Sequence, residues 1–306
     1  MKTNEKKSGR NTYPDRLKRP QGRLLIVPAG VVLILLTVIP IGYSLYVSMT
    51  DYNLTIPGSF EKFIGIRNYV EAFSSPDFRS AVWNTLEIAV PALFLEVLIG
   101  FVLALILNRR FFGRGLVIAL LVTPYMIAPG AAALAWRLLF DTRYGPVNDL
   151  LSKLAGRSVV IDWLGSPAFA IRSLTLIDIW QTTPFVMLIL LAGLSAISPE
   201  IYEAARIDGG SSLHTLRYVT LPLVRPILGT AVLFRSIDLL KMFDMCQALT
   251  KGGPAGTTMT LSFYTYRQGL AYSRVGYGAA ISFVILIAVS LLSMLYIKNT
   301  MRGGNA

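Results

Sequence analysis

Apolar residues fall into six long blocks, each bounded by charged residues, glycine or proline. They cover about 24–48, 81–107, 116–140, 171–194, 226–245 and 276–297. A helix needs about 20 predominantly apolar residues to cross the hydrocarbon core, and each block is long enough with some tilt. The pattern therefore predicts an all-α, polytopic membrane protein with six transmembrane helices. The expected organisation is a basic tail at 1–23, a transmembrane domain at 24–297 and a short tail at 298–306. Pro28, Pro40, Pro91, Pro124, Pro129 and Pro184 fall inside the blocks. Membrane helices tolerate proline where neighbours satisfy the freed carbonyls, and for each one ordinary usage is the expectation.

One polar insert, about 195–225, breaks the pattern. Ser198-Pro199-Glu200 reads as a helix start, with a capping hydroxyl, proline in the first turn and an acid beside it. The helix is expected to reach about Ile207, where Asp208-Gly209-Gly210 stops it, because glycine reaches positive φ without strain. Ser211 or Ser212 then caps a second short helix, expected to end before Leu221-Pro222. A helix–turn–helix of about 30 residues exceeds what a connector between spans requires. Ala204 and Ala205 give the first helix a low side that fits a groove, and Glu203 and Asp208 offer charge. The insert reads as a handle for another protein.

Composition agrees with the membrane class: 54% of residues are hydrophobic and 15% charged. The net charge of +12 comes from basic residues clustered beside spans, as in cytoplasmic loops, so no nucleic-acid partner is expected. Lys2, Lys6, Lys7, Arg10, Arg16, Lys18, Arg19 and Arg23 crowd the first tail. They place the N-terminus in the cytoplasm, and six crossings return the C-terminus to the same side. No removable signal peptide is expected there. The insert then faces the cytoplasm, and the segments 49–80 and 141–170 face outward. Cys246 and His214 are the lone cysteine and histidine, too few for a disulfide framework or a Cys/His metal site. Neither HExxH, a phosphate-binding loop nor GxSxG occurs, so an enzyme is not expected. Energy must come from a partner or an ion gradient.

Glu203-Ala204-Ala205, then Gly209, then Leu221-Pro222 resembles the EAA loop of the membrane subunits of binding-protein-dependent ABC importers. Val219, Gly210 and Leu216 are mild departures that keep the apolar contacts. Phe63-Ile64-Gly65-Ile66-Arg67-Asn68-Tyr69, Trp180 with Pro184-Phe185, Leu191-Ala192-Gly193-Leu194, Phe243-Asp244 and Leu249-Thr250-Lys251-Gly252-Gly253-Pro254 are similar to segments of the sugar-uptake branch. That branch includes the maltose and glycerol-phosphate permeases. The resemblance implies a type I importer permease fold in a bacterial or archaeal inner membrane. It implies that the insert docks in a cleft of a cytoplasmic ATPase dimer, with Glu203 bonding a basic residue and Gly209 making the turn. ATP and magnesium would sit on that partner, leaving this chain without a cofactor. A second homologous permease, an extracytoplasmic sugar-binding protein and the sugar itself complete the implied partners.

For the solute path, Trp180 and Gln181, with Asp178 close by, offer an aromatic face and an amide. Arg235, Asp238, Lys241 and Asp244 alternate in sign at intervals of three in the fifth block. Charges inside a membrane must face protein or water. Arg235 and Asp238 are placed at the inner cavity or the partner-permease interface, Lys241 beside them and Asp244 at the outer gate. A self-neutralising ladder that only supports packing is the alternative. An ABC permease for a non-sugar solute, a secondary transporter and a membrane enzyme are the rival functions. A secondary transporter would show a midplane ion site and paired repeats, and no clear repeat is present.

Overall fold

The computed structural model describes residues 20–303, with side chains from 27 to 298. The side chains of the predicted tail at 1–23, and of the tail beyond Lys298, lie outside the described residues. Helix α1 (Pro20–Leu33) passes through a π turn, Ile34–Val38, into α2 (Ile39–Ser48). Then come α3 (Arg67–Ser74), α4 (Pro76–Leu107), α5 (Arg114–Met126), α6 (Pro129–Leu139), α7 (Pro146–Ala155) and α8 (Pro167–Ser195). Helices α9 (Pro199–Ile207) and α10 (Ser212–Thr215) lead through a π turn, Leu216–Thr220, into α11 (Leu221–Leu240). Helices α12 (Asp244–Leu249), α13 (Leu261–Tyr266) and α14 (Val275–Gly303) complete the order. The described residues contain no β-strand beyond one isolated bridge, Thr50 to Phe63.

Four helices are long and apolar enough to cross a membrane unbroken: Val27–Ser48, Pro76–Leu107, Pro167–Ser195 and Val275–Lys298. The third predicted block is not one straight helix. It breaks into α5 and α6, which meet at 93°. Pro129 lacks an N–H for the carbonyl four residues back, and it holds Ala128 extended, at φ −57° and ψ 134°. The fifth block also differs from the expectation. Its helix, α11, ends at Leu240, so Lys241 and Asp244 lie beyond it and the predicted charged run is not one helix. Arg225, Arg235 and Asp238 interrupt the apolar surface of α11, and Arg235 turns inward.

Two prolines sit just past a π turn. Ile39 N–H bonds Ile34 O ahead of Pro40, and Leu221 N–H bonds Leu216 O ahead of Pro222. An α-helical ladder would press each ring against the carbonyl four residues back, and the wider π turn gives that ring room.

Helix α8 is the central post. Leu174 and Ile177 pack in one cluster with α4, α6 and α12, and Val186, Met187 and Leu190 in another with α4 and α11. Helix α4 meets α8 through a row of buried residues at every fourth position: Ile88, Ala92, Glu96, Gly100 and Ala104. Such rows form ridges along a helix, and small members let two backbones approach. A Cβ on Gly100 would lie 3.0 Å from Val186 Cγ1 and 3.1 Å from Met187 N.

The segments similar to the sugar-uptake branch shape the connections. Asn68 is buried, and its amide donates to Ser48 O and Thr50 O, both at 2.9 Å, closing the end of α2. Tyr69 Oη lies 2.7 Å from Ser48 Oγ. At the other loop, Asn84 donates from α4 to Gly256 O at 2.8 Å, and Thr258 Oγ1 donates to Gly253 O at 2.6 Å.

The close α4–α8 contact gives a direct test. Gly100→Val puts a branched side chain against backbone that cannot yield, and should cost about 1–3 kcal/mol. Gly130→Ala, with nothing within 4 Å of the new Cβ, should leave the melting temperature unchanged or raised. Thermal melting of the two purified variants in one detergent checks the contrast.

Candidate functional site

The insert forms the expected turn between helices. Ser198 takes the cap position of α9, at φ −60° and ψ 134°, although its hydroxyl makes no capping bond. Pro199 opens the helix as expected. At the far end Gly209 adopts φ +78°. Gly209 N–H bonds Arg206 O at 3.0 Å and Gly210 N–H bonds Ala205 O at 2.9 Å. This paired closure needs a residue with positive φ, which glycine supplies. Of the two serines, Ser211 is the cap, its hydroxyl accepting from His214 N–H at 3.3 Å. The second helix does not end before Leu221-Pro222. It runs through the π turn into α11, so the insert and that long helix are continuous.

Glu203, Ala204, Asp208, Gly209, Leu221 and Pro222 are exposed, and Ala205 is half-buried. Glu203 and Asp208 join no ion pair among the described residues. Ile207 is 86% exposed and Leu213 74%, and Ile201 and Tyr218 are exposed beside them. A polar turn that holds large apolar side chains in the open is suited to docking.

The second feature is a cavity of about 350 Å³ at the α5–α6 break, the middle of α8 and the end of α11. Tyr125, Asp178, Gln181, Arg235, Asp238 and Lys241 are among its lining residues. Arg235 is 4% exposed and Glu96 is fully buried. Arg235 Nε donates to Glu96 Oε2 at 2.6 Å, and Nη2 lies 2.9 Å from Glu96 Oε1 and 2.8 Å from Asp178 Oδ2. Thr182 Oγ1 adds a contact to Glu96 Oε1 at 2.8 Å. The guanidinium fork engages Glu96 with two nitrogens and uses one of them again for Asp178. The direct ion pairs of Arg235 run across helices to α4 and α8, while Asp238, one turn along α11, acts on it only through its charge and not as an ion pair.

Asp238, Lys241 and Asp244 are exposed on the cavity wall without an ion-pair partner among the described residues. Gln181 is buried, and its amide donates to Ile127 O at 2.8 Å. It therefore satisfies a carbonyl freed where the third span breaks. Trp180 is not on this wall. It stands 38% exposed with its ring edge-on to Trp136, centroids 5.4 Å apart.

The sequence reading did not pick out Glu96. Its signal was present, for it is the lone acid between Ile88 and Leu107, and an acid inside a membrane block needs a partner. Chemically, the cavity offers exposed carboxylates that accept hydrogen bonds from hydroxyls. Tyr125 and Phe185, stacked with centroids 5.4 Å apart, give it an apolar face.

Comparison with known proteins agrees with this architecture. Residues 89–302 match the family described as the binding-protein-dependent transport system inner membrane component. The chain is 38% identical over 279 residues to a probable ABC transporter permease protein of Sinorhizobium fredii, covering 91% of this chain and 89% of that one. It is 35% identical over 277 residues to the trehalose/maltose transport system permease protein of Thermococcus litoralis, covering 90% and 92%. Among solved structures, a permease chain of a bacterial ABC transporter that imports the acidic polysaccharide alginate superposes with a TM-score of 0.79. It is 21% identical, and the match covers 94% of this chain and 97% of that one, so it shows the fold. With the family match spanning most of its length, the chain belongs to the inner-membrane components of binding-protein-dependent transport systems.

Proposed function

We propose that this chain is one of two permease subunits of an ATP-driven sugar importer, and that its insert is the contact with the ATPase. The observation that carries the reading is the insert, with Glu203, Asp208, Ile207 and Leu213 exposed on a closed turn. The trehalose/maltose relative supports a sugar as the solute. The end of the molecule bearing α9 and α10 is the cytoplasmic one, the side to which the basic residues beside the spans assign the insert. ATP is bound and hydrolysed on the partner ATPase, and an extracytoplasmic binding protein delivers the solute. A second permease closes the path from the other side.

Force applied at the insert has a direct route to the cavity. From Leu221, α11 rises about 1.5 Å per residue and reaches Arg235 about 21 Å away. A push on α10 therefore moves the helix that carries Arg235 and Asp238. Arg235, Asp238, Lys241 and Gln181 belong to the solute path or its immediate frame. Trp180 belongs to the packing between α8 and α6.

Glu203→Lys places like charge against the basic residue proposed on the ATPase. Gly209→Pro forces φ near −65° where the turn has +78°. Both variants should insert in normal amounts, lose transport and bind the ATPase about tenfold more weakly or worse. Co-purification and uptake in proteoliposomes measure this, and wild-type transport with the ATPase retained would refute the coupling role. For the buried cluster, Arg235→Met strands two carboxylates and should cost about 3–5 kcal/mol. Asp238→Asn, at an exposed position, should cost under about 0.5 kcal/mol. Melting temperatures of the purified chains separate the two.

A further inference from the structure

We infer that Asp238 and Asp244 make the cavity a charge filter that takes neutral or cationic polyhydroxylated solutes and rejects anionic ones. The inference rests on the reading of the cavity as part of the solute path. Its ionisable lining consists of Asp178, Asp238 and Asp244 against Arg235 and Lys241. Acids therefore outnumber bases by one on the wall, and Glu96 stands directly behind it.

The count understates the asymmetry. Arg235 is 4% exposed, and its bonds to Glu96 and Asp178 occupy two of its nitrogens. It is committed to two carboxylates of its own chain and presents little positive field to a solute. Lys241 is the remaining cation on the wall, three residues from Asp238 and three from Asp244, both exposed. An entering anion meets a field dominated by carboxylates, in a concave site whose low-dielectric walls focus it. A neutral sugar meets the same carboxylates as hydrogen-bond acceptors. It can also lay its C–H face on Tyr125 and Phe185. An amino sugar would gain further from the unpaired acids.

The field can be read without cargo, ATP or partner subunits. The full-length chain carrying Tyr125→Cys is placed in nanodiscs of zwitterionic phosphatidylcholine. It is reacted with a cationic trimethylammonium-ethyl and an anionic sulfonatoethyl methanethiosulfonate. Both rates are normalised to those of free cysteine, and the parent chain corrects for the buried Cys246. Phe243→Cys is a second reporter should the first variant fold poorly. The cationic reagent should react on the order of tenfold faster, with the preference shrinking at about 1 M salt. Asp238→Asn with Asp244→Asn should bring the ratio to one, and the paired lysine substitutions should invert it. A ratio at or below one before these changes, or one that survives the asparagine pair, overturns the filter. Neither result bears on whether the insert binds an ATPase, so the importer reading stands or falls separately.

Discussion

One guanidinium shared by two carboxylates ties together the helices that frame the cavity. Arg235 on α11 reaches Glu96 on α4 and Asp178 on α8. Desolvating such charges costs several kcal/mol per ion, which close, well-aligned contacts must offset. The fork supplies that alignment to Glu96, and Thr182 satisfies one of its oxygens further. Removing Arg235 strands both carboxylates, and removing either acid frees its helix from the shared guanidinium, so the cluster ties the three helices together. The row of small residues on α4 serves the same end. Gly100 and Ala104 bring α4 and α8 close, and Glu96, on the same row, comes within reach of α11.

The second organising feature is the continuity of α10, the π turn and α11. A loose connector would let the insert move without consequence. A helical path instead makes the insert and the cavity wall parts of one rod, with the π turn accommodating Pro222. The rod ends at Lys241, where the helix stops and the chain turns into α12. Across the cavity the broken third span is fixed by Gln181 at Ile127. The cavity thus lies between two breaks in helical structure. Irregular backbone within a membrane domain is tolerated where it is buried in protein or lines a cavity.

The segments that resemble the sugar-uptake branch do not line this cavity, apart from Phe185, Phe243 and Asp244. The segment at 63–69 closes the end of α2 through Asn68 and Tyr69. The glycine-rich segment beyond α12 uses positive φ at Lys251, Gly252, Ala255 and Gly256, and Asn84 anchors it to α4. These residues build the connections around the helical body.

By itself the sequence determined the features that depend on neighbours along the chain. Block length against bilayer thickness gave the helical membrane class. The turn at Gly209 and the start at Pro199 followed from local backbone preferences, and both stand where they were expected. Tertiary structure alone decided which groups meet. Glu96 and Arg235 are 139 positions apart, and Asp178 and Arg235 are 57 apart, so no local spacing signals their contact. The nearby Asp238 looked the better partner for Arg235 because it is one helical turn away. The packing of α4 and α8 offered two buried carboxylates, and an unmatched charge at a buried position is far more costly than at an exposed one. The same holds for Ile127. Proline marked a possible bend, but a 93° break needs a neighbour to satisfy the freed carbonyl, and Gln181 comes from a distant helix.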